Sequence, residues 1–331
     1  MAEKFAVDFF GHNRALRAKL WSYRRGFLSE TVSSLKISNE NRSEFISEVE
    51  YYSSQGFPNG ARSRWFDDKL ATYFLLRNHQ NHLPEHYFHI SGGKVLGLAG
   101  RPDGFRALES LLNEKKSLVV KDSWGSKGVG FRMVTREAYY ITINGERIEP
   151  TLFRRVVCAW TDSIVTERLV NHPVIARLNP LSLNTLRVIT AYTPSWDVSI
   201  VSAYLRVGTE QTGLVDNVSA GGIAVEVDPK TGLSGRSVIF PESGLTPTPI
   251  ISHPSTQQRF DFEVPFWDEI VGEISIIARE LKPTPWLGFD VAVTPDNFFI
   301  TEINSHPVIS RLQNLAPLRA NQAVRELFPG Q

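Results

Sequence analysis

The spacing of apolar and polar residues along this chain changes near residue 86. Before it, apolar residues recur mostly at helical spacing, and a polar break falls near 38–41. After it, short apolar runs alternate with polar turns, which predicts strands. We expect them in SLVVK (117–121), FRMV (131–134), SIVTERLV (163–170), TLRVITAY (185–192), VSIVSAYLRV (198–207) and GGIAVEVD (221–228).

Two helices interrupt the predicted strands. TLFRRVVCAW (151–160) is one, and PFWDEIVGEISIIARELKP (265–283) has the clearest helical pattern, with Phe266, Ile270, Ile274, Ile277 and Leu281 on one stripe. YYITINGERI forms a hairpin through its Asn144-Gly145 turn. Because helices do not separate successive strands, the pattern predicts an antiparallel α+β protein. We expect a helical region at 1–85, a first α+β part at 86–170 and a second at 171–331.

The segment GFDVAVTPDNFFITEIN (288–304) predicts a hairpin around Asp296. In that hairpin Asp290 lies opposite Glu302, and Asn304 points to the same face. The segment contains no lysine or arginine that could pair with the two acids, so we expect a bound cation between them. Because the two like charges repel each other without that cation, replacing one acid by its amide should stabilise the metal-free protein. Carboxylate and amide oxygens suit Mg²⁺. The alternative is a solvated polar face on an edge hairpin.

Composition narrows the class of protein. The chain has 331 residues, 42% hydrophobic and 21% charged, which is ordinary for a globular protein large enough for two or three domains. Its formal net charge of +1 gives no reason to expect nucleic acid as a partner. No apolar run reaches the ~18 residues of a membrane helix. The single Cys158 and a start without a signal-like apolar stretch lead us to expect a cytoplasmic protein.

One segment near the start is basic and amphipathic. Between Asp8 and Glu30 there are five basic residues and no acid, and Leu16, Leu20, Tyr23 and Phe27 recur at helical spacing. Such a helix could lie on an anionic membrane or bind an acidic partner. The commoner structure, which we expect, is a helix that docks through its apolar stripe. A histidine-rich stretch at 79–89 lacks the spacing of a zinc site and is interpreted as a polar connector.

A glycine-rich loop follows the strand that ends at Lys121. Its residues 122–130, DSWGSKGVG, could place successive N–H groups around phosphate oxygens, with Lys121 and Lys127 supplying positive charge. It is neither a Walker A loop nor a dinucleotide fingerprint. An ordinary hairpin turn is the alternative interpretation.

Further candidates lie at strand ends and inside strands. Glu167 lies toward the end of the predicted strand SIVTERLV (163–170), and the strand-edge backbone at 168–170 could hydrogen-bond an adenine edge; any exposed strand end would look the same. Arg187 and Arg206 are charged residues inside apolar strands, where bidentate guanidinium groups suit phosphate or carboxylate. Asn217, in the loop DNVSAGG (216–222), could contact a ligand, or the loop could be an ordinary one.

The ordered set of these motifs resembles the ATP-grasp superfamily, closest to its sugar-transfer-associated branch. The resemblance is carried by VVKDSWGSKGVGF, VTERLVNHPVIARLNPLSLNTLRVIT, VDNVSAGGIAVEVDPKTG and LGFDVAVTPDNFFITEINSHP, and extends over residues from about 65 to 310. It implies an ATP-grasp fold, in which two α+β subdomains clasp nucleotide between antiparallel sheets.

The resemblance also implies roles for individual residues. Lys121, and Lys69 in DDKLATYF, would contact nucleotide phosphates, which the loop containing Gly125, Ser126, Lys127 and Gly128 would cover. Glu167, Arg168, Leu169 and Val170 would form the adenine hinge. Arg187 would hold the transferring γ-phosphate. Apart from the resemblance, we expect Arg206 to be a second catalytic arginine, because it repeats the arrangement of Arg187 on the next predicted strand. Asp290, Glu302 and Asn304 would hold two Mg²⁺ ions.

The implied activity is ATP-dependent ligation of a carboxylate to an amine through an acyl phosphate, on an amino acid, peptide or amino-sugar substrate. Two alternatives stay open. The same site could phosphorylate a small-molecule hydroxyl, or the protein could bind nucleotide without turnover. The sequence identifies neither substrate nor oligomeric state.

Overall fold

The computed structural model describes residues 2–11, 14–53, 57–125, 128–241 and 246–330. Its helices are α1 (Ala2–Gly11), α2 (Leu16–Tyr23), α3 (Ser29–Ser34), α4 (Glu48–Tyr52), α5 (Lys69–Leu75), α6 (Phe105–Lys115), α7 (Pro150–Ala159), α8 (Pro173–Ala176), α9 (Trp267–Glu280), α10 (Ile309–Leu315) and α11 (Gln322–Leu327). Short 3₁₀ helices span Arg42–Glu44, Gly60–Phe66, Arg77–His82, Val218–Ala220 and Leu318–Ala320.

The strands are β1 (His86–Ser91), β2 (Lys94–Gly97), β3 (Ser117–Asp122), β4 (Arg132–Arg136), β5 (Ile141–Ile143), β6 (Glu146–Ile148), β7 (Ser163–Glu167), β8 (Thr185–Thr193), β9 (Asp197–Val207), β10 (Ile223–Val227), β11 (Ser234–Ile239), β12 (Thr248–Ile250), β13 (Trp286–Val293) and β14 (Phe298–Asn304). They form two seven-stranded sheets, ordered β2-β1-β7-β3-β4-β5-β6 and β12-β11-β10-β9-β8-β13-β14. All neighbours in the first sheet are antiparallel. The α+β prediction is therefore confirmed.

The chain divides into two compact units. Unit 1 comprises residues 1–63, 173–290 and 304–331, and unit 2 comprises residues 64–172 and 291–303. This division differs from the predicted consecutive parts 1–85, 86–170 and 171–331, although the predicted boundary at 170 lies two residues from the end of a unit 2 segment. The reason is packing: Ile46 and Tyr51 belong to the same buried cluster as Trp286 and Phe328.

Each unit has its own core. In unit 1 the buried side chains of β8, β9 and β10 pack with those of α10 and α11. In unit 2 the apolar residues of β1, β3 and β7 pack with those of α6 and α7. The predicted Asn144-Gly145 turn joins β5 to β6, and both residues have positive φ, as a type I′ turn requires.

The predicted docking stripe of the basic segment is wrong in part. Phe27 is buried, but Leu16 and Leu20 are 58% and 45% exposed. Instead α2 is held to its surroundings by polar contacts: Lys19 donates to the carbonyl of Phe9, and the Tyr23 hydroxyl donates to Asp8. Within the described residues, no helix has the length and apolarity needed to cross a membrane.

Candidate active site

A buried carboxylate with two arginines forms the centre of the candidate site in unit 1. Asp290 on β13 is 2% exposed, and the neighbouring β8 and β9 carry Arg187 and Arg206. Arg187 donates from Nε to Asp290 Oδ1 and from Nη2 to Oδ2 at 3.0 Å, a bidentate pair. Arg206 Nη2 donates to the same Oδ2 at 2.9 Å. We expected no basic residue to pair with Asp290. This expectation is wrong, because both arginine partners come from other strands.

Electrostatics explains how this carboxylate stays ionised. Burial alone would raise the pKa of Asp290, but the charges of Arg187 and Arg206 outweigh burial and hold that pKa below its usual value. Burial would lower the pKa of Arg206, but the charges of Asp216 and Asp290 raise it. The cluster is thus an ionised group of buried charges that compensate one another.

Thr185 and Asp216 support Arg206, although neither residue was predicted from the sequence to have a role. Thr185 donates to Asp216 Oδ2 from its backbone N–H at 2.8 Å and from its hydroxyl at 2.6 Å. Arg206 Nε donates to the Thr185 hydroxyl at 3.1 Å and lies 3.4 Å from Asp216 Oδ2. These contacts hold the guanidinium of Arg206 toward Asp290. The only sequence signal was the clustering of polar residues before and after two apolar strands.

Gly288 explains why the side chain of Arg187 fits beside β13. A Cβ atom at Gly288 would lie 3.3 Å from Arg187 Cδ and 3.0 Å from Ile189 Cδ1. Contacts that close would require the side chains of Arg187 and Ile189 to shift by a few tenths of an ångström. A glycine is needed at this position because side chains of β8 lie close to β13, and not because the chain turns there.

In unit 2, Lys69 lies at the glycine-rich loop. Asp68 caps α5 by accepting the Leu70 N–H at 2.9 Å, which places Lys69 in the first turn. The Lys69 N–H donates to the Ser123 carbonyl at 2.9 Å, its Nζ donates to the Gly125 carbonyl, and Nζ lies 4.0 Å from Glu302 Oε1. Glu302 therefore also has a basic residue, Lys69, close to its carboxylate, contrary to expectation.

The glycine-rich loop packs tightly where it is described. A Cβ atom at Gly125 would lie 2.7 Å from the Val129 carbonyl oxygen, and one at Gly130, where φ is +74°, would lie 2.0 Å from Asp122 Oδ2. Gly128 also has a positive φ. Lys121 lies on β3 opposite Ile164 of β7. Ser126 and Lys127, also assigned to this loop, lie outside the described residues.

Lys69 and Glu302 line a small pocket within unit 2, whose empty space of about 360 Å³ includes open solvent. Tyr73 and His86 stack on its wall, with ring centroids 4.4 Å apart. Burial lowers the pKa of His86 to about 4, so the imidazole is neutral near pH 7. Apolar side chains of Leu76, Leu83 and others complete the lining.

The predicted hinge residues occupy the end of β7 and the segment after it. Glu167 ends β7 as expected, and its Oε1 accepts the Glu85 N–H at 2.8 Å while its own N–H donates to the Glu85 carbonyl at 3.0 Å. Residues 168–170 are not part of the strand, and Arg168 and Val170 are exposed. Asn217 caps the short helix Val218–Ala220 by accepting the Ser219 N–H at 2.9 Å.

The β13–β14 hairpin turns at the predicted place. The two strands are neighbours in their sheet, and the Thr294 N–H donates to the Asn297 carbonyl at 2.8 Å across Pro295 and Asp296. Along β14 the alternation of buried and half-buried residues breaks at Thr301 and Glu302, which are both half-buried. That Asp290 and Glu302 are directly opposed stays a prediction.

The donor set on this hairpin fits Mg²⁺ in its chemistry. Asp290 and Glu302 supply carboxylate oxygens, and Asn304 supplies an amide whose buried Nδ2 has no hydrogen-bond partner among the described residues. An amide with one unused buried end is suited to turn its oxygen toward a ligand. The oxygens of Asp290 are taken up by guanidinium groups, which a cation would have to displace. The described residues contain no cluster of three His, Cys, Asp or Glu side chains that could hold a metal.

Solved structures with a similar fold have low sequence identity to this chain. An ADP complex of purK, N5-carboxyaminoimidazole ribonucleotide synthetase, is 11% identical with a TM-score of 0.48, and the match covers 83% of this chain and 55% of that one. D-alanyl-alanine synthetase A from Vibrio cholerae O1 biovar eltor is 9% identical with a TM-score of 0.43, covering 82% and 67%. This chain thus spans about half the length of the purK structure.

The ATP-grasp ligase PsnB complexed with a minimal precursor is 12% identical with a TM-score of 0.40, covering 81% of this chain and 60% of that one. Among curated proteins none matches this chain. The family model described as sugar-transfer associated ATP-grasp matches residues 50–324, most of the sequence. The chain therefore belongs to the sugar-transfer associated ATP-grasp family.

Proposed function

We propose that this protein is an ATP-dependent carboxylate–amine ligase that forms an amide through an acyl phosphate, on an amino acid, peptide or amino-sugar substrate. The observation that carries the proposal is the cluster in which Arg187 and Arg206 meet on Asp290. Two guanidinium groups focused on one buried carboxylate are donors of the right shape and charge for phosphate oxygens. They are also held in place before any ligand arrives, which favours electrostatic catalysis.

The residues that would hold Mg²⁺ are Asp290, Glu302 and Asn304. When bound, the ion would neutralise charge on the nucleotide phosphates. Arg187 and Arg206 would exchange Asp290 for oxygens of the transferring phosphoryl group. This exchange keeps each buried guanidinium paired with an anion throughout.

Nucleotide contacts are proposed for residues of unit 2. Lys69 and Lys121 would contact phosphates, and the loop containing Gly125, Ser126, Lys127 and Gly128 would cover them with backbone N–H groups. Lys69 supports this role because its Nζ already reaches both the Gly125 carbonyl and the vicinity of Glu302. Glu167, Arg168, Leu169 and Val170 would bind the adenine edge, and Asn217 would contact ligand from its capped turn.

The proposed reaction has two transfers. A carboxylate oxygen of the substrate attacks the γ-phosphorus, and the bond from that phosphorus to the bridging oxygen breaks, releasing ADP. The amine nitrogen then attacks the acyl carbon, phosphate leaves with the bonding electron pair, and the nitrogen loses a proton to form the amide. Positioning and electrostatics supply the rate, so no side-chain nucleophile is needed.

The test is a screen of amino acids, peptides and amino sugars for stimulated ADP release, with mass spectrometry of the products. Hydroxylamine is added in single-turnover reactions to trap an acyl phosphate as hydroxamate. We expect hydroxamate with the carboxylate substrate and an amide when the amine is present. A stable phosphorylated hydroxyl product without hydroxamate would identify a kinase instead, and no ADP release with any substrate would contradict turnover.

A further inference from the structure

The first helix of unit 1 turns a charged side chain inward and apolar side chains outward. Within α1, all of which the structure describes, the only buried residue is Asp8. Its carboxylate accepts the backbone N–H groups of Ser29 and Glu30 at 2.9 and 3.1 Å. By contrast, Val7 is 64% exposed and Phe10 is 86% exposed. An amphipathic helix that packs on a protein core normally has the opposite orientation.

The second helix repeats this orientation. The buried residues of α2 are Lys19 and Ser22, whose side chains donate to backbone carbonyls. Leu16 and Leu20, one helical turn apart on one stripe, are 58% and 45% exposed. Single exposed apolar residues are common on protein surfaces, whereas a group of them marks a surface that binds a partner.

Contacts between α1 and α2 bring their exposed residues to one place. Lys19 Nζ lies 5.1 Å from the centre of the Phe9 ring, and the rings of Tyr23 and Phe5 are 5.1 Å apart. Tyr23 follows Lys19 by one turn, whereas Phe5 precedes Phe9 by one turn, so the two helices run antiparallel. The last turn of α1, with Phe10, therefore lies beside the first turn of α2. We call the exposed apolar residues of the two helices the apolar surface; they are Val7, Phe9, Phe10, Leu16 and Leu20.

The charges around the apolar surface are positive. The sequence from 9 to 29 contains five basic residues and no acid. Of these five, Arg17 and Arg24 are exposed. Arg17 directly follows Leu16, and Arg24 lies one turn beyond Leu20 on the same stripe. An arginine can keep its guanidinium among polar groups while its methylene stem accompanies apolar neighbours. The surface thus combines apolar side chains with basic ones at its edge.

An anionic membrane is the partner that fits this combination. Interfacial helices present apolar and aromatic residues to the boundary between headgroups and acyl chains, and basic residues to anionic headgroups. A second copy of the chain fits poorly, because a two-fold contact between like faces would oppose arginine to arginine. An acidic protein would pair with the arginines but gives no reason for the apolar residues beside them. The exposed acid Glu3 precedes Phe10 by about 10 Å along α1 and so lies away from that end.

We propose that the α1–α2 pair binds the surface of an anionic lipid bilayer. Phe10 and Leu16 enter the boundary between headgroups and acyl chains, and Arg17 and Arg24 contact lipid phosphates. Burial of apolar area and attraction to anionic lipid both contribute to binding of this kind, which is peripheral and reversible. The proposal goes beyond the proposed function, since it concerns where the protein binds and not the reaction.

The first test is flotation of the full chain with vesicles, either of phosphatidylcholine alone or of phosphatidylcholine and phosphatidylglycerol in equal amounts. We expect the wild type to float with the mixed vesicles. Phe10→Ser should lower its partition coefficient about tenfold, because burial of the ring is lost. Leu16→Ser, on the other helix, should act in the same direction. Tyr139→Ser is the control, since Tyr139 is also 86% exposed but belongs to unit 2.

Because Phe10 and Leu16 are exposed, we expect the urea midpoints of both variants to equal that of the wild type. This measurement separates lost binding from lost folding. Equal flotation of the wild type and both variants, or no flotation of the wild type with the mixed vesicles, would overturn the proposal.

The second test addresses the charges. Arg17→Gln and Arg24→Gln should each weaken partitioning into the mixed vesicles about fivefold, since each basic residue near an anionic surface contributes ~1 kcal/mol. Arg155→Gln, which removes an exposed arginine of α7, is the control and should float like the wild type. Added salt should weaken binding of the wild type to the mixed vesicles. Equal flotation with neutral and mixed vesicles would contradict the assignment to anionic lipid.

The other two occupants are separate outcomes. Sedimentation velocity over a range of protein concentrations detects self-association, and poly-L-glutamate serves as a soluble polyanion. Self-association that Phe10→Ser abolishes, without vesicle binding, would identify a second copy and overturn the proposal. Binding to poly-L-glutamate that requires Arg17 but not Phe10, again without vesicle binding, would identify an acidic protein and likewise overturn it.

Discussion

Asp290 has partners that its own segment of sequence does not contain. The hairpin motif singled out Asp290 as a residue that a Mg²⁺ ion would neutralise, but Arg187 and Arg206 pair with it from strands about 80 to 100 residues away along the chain. A local pattern cannot predict which strand will be the neighbour of β13. Arg187 and Arg206 were singled out as charged residues inside apolar strands, and this signal was sufficient to find them.

The first prediction concerns Asp290. The sequence led us to expect that replacing this acid by its amide would stabilise the metal-free protein, and the structure leads us to expect the opposite. Asp290→Asn should lower the free energy of unfolding of the unliganded protein by about 3–5 kcal/mol, because two buried guanidinium groups lose their counter-charge. It should also abolish ADP formation. Urea denaturation provides the measurement, and Asp197→Asn is the control. Asp197 pairs with Arg279 but its side chain is 53% exposed, so its loss should cost about 1 kcal/mol or less. Unchanged stability of Asp290→Asn would contradict the cluster.

The second prediction concerns Arg187. Arg187→Ala should lower kcat by about 10²–10³-fold, equivalent to ~3–4 kcal/mol, with a much smaller effect on KM for ATP. The reason is that its contact with the transferring phosphoryl group is strongest in the transition state. Arg187→Lys should rescue poorly, since an ammonium cannot make the bidentate contact. Steady-state kinetics on the amine-stimulated reaction tests this, with Arg154→Ala as the control. A rise in KM at unchanged kcat would reassign Arg187 to ground-state binding.

At the scale of elements, α5 and the glycine-rich loop are joined by Lys69. The sequence suggested Lys69 only through resemblance, because a lysine at the start of a helix carries no signal of its own. The structure gives it three contacts that tie helix, loop and β14 within unit 2. This connection is absent from the sequence pattern because Lys69 and Glu302 are over 200 residues apart.

The third prediction follows from those contacts. Lys69→Met and Lys121→Ala should each weaken binding of a non-hydrolysable ATP analogue by about tenfold or more, because each removes a charge-assisted contact of ~1.5–3 kcal/mol to a phosphate. Lys127→Ala should have a smaller effect. Isothermal titration calorimetry with Mg²⁺ is the measurement, and the exposed Lys94→Ala is the control. If the three test variants all bind like the wild type, the loop is an ordinary turn.

The stretch 79–89, interpreted as a polar connector, contains part of a strand and a pocket wall. His86 to Ser91 form β1, and His86 stacks on Tyr73. Histidine has no strong preference for strands. Because His86 and His89 fall on both sides of the alternating pattern in HYFHIS, that pattern predicted a strand only weakly. Its burial could be recognised only once β7 was placed beside it.

The fourth prediction is the pH dependence that His86 confers. Burial lowers its folded-state pKa to about 4, below the value of ~6.5 expected in the unfolded chain. The unfolded state therefore binds more protons between these values, and the stabilising contribution, complete above pH 6.5, is lost as the pH falls toward 4. At pH 5 the loss should be about 2 kcal/mol relative to pH 7. His86→Gln should lack this component in denaturation at both pH values, whereas His82→Gln, which removes another stacked histidine, should keep it. An equal pH slope in His86→Gln and wild type would contradict the assignment.

At the scale of the whole molecule, the amino-terminal helices are part of the core of unit 1. Their helical character was readable from apolar spacing, but periodicity reveals a buried face and not what covers it, so the spacing could not predict the shared cluster with Trp286 and Phe328. Ile46, for example, exchanges hydrogen bonds with Gln313: its N–H donates to Oε1 at 2.7 Å and its carbonyl accepts from Nε2 at 3.1 Å. Contacts between residues 267 positions apart cannot be read from local sequence.

The last prediction tests this integration through Asn59, which is 1% exposed. Its amide accepts the Trp286 N–H at 3.0 Å and donates to the carbonyls of Trp286 and Ser305 at 2.6 and 3.0 Å, at the beginning of β13 and just after β14. Asn59→Ala would leave three buried backbone groups unpaired, at ~1–3 kcal/mol each. We expect a loss of at least about 3 kcal/mol in urea denaturation, and a lower ADP-forming activity because both ends of the hairpin that carries Asp290 and Glu302 are loosened.

Asn113→Ala is the matched control, because Asn113 is an exposed residue of α6 and its loss should change stability by less than about 0.5 kcal/mol. Removing residues 1–63 altogether should leave a chain that does not fold cooperatively, since Ile46 and Tyr51 would vanish from the core of unit 1. A cooperatively unfolding, nucleotide-binding protein after that truncation would instead show that the amino-terminal region is an independent domain, as the sequence pattern by itself suggested.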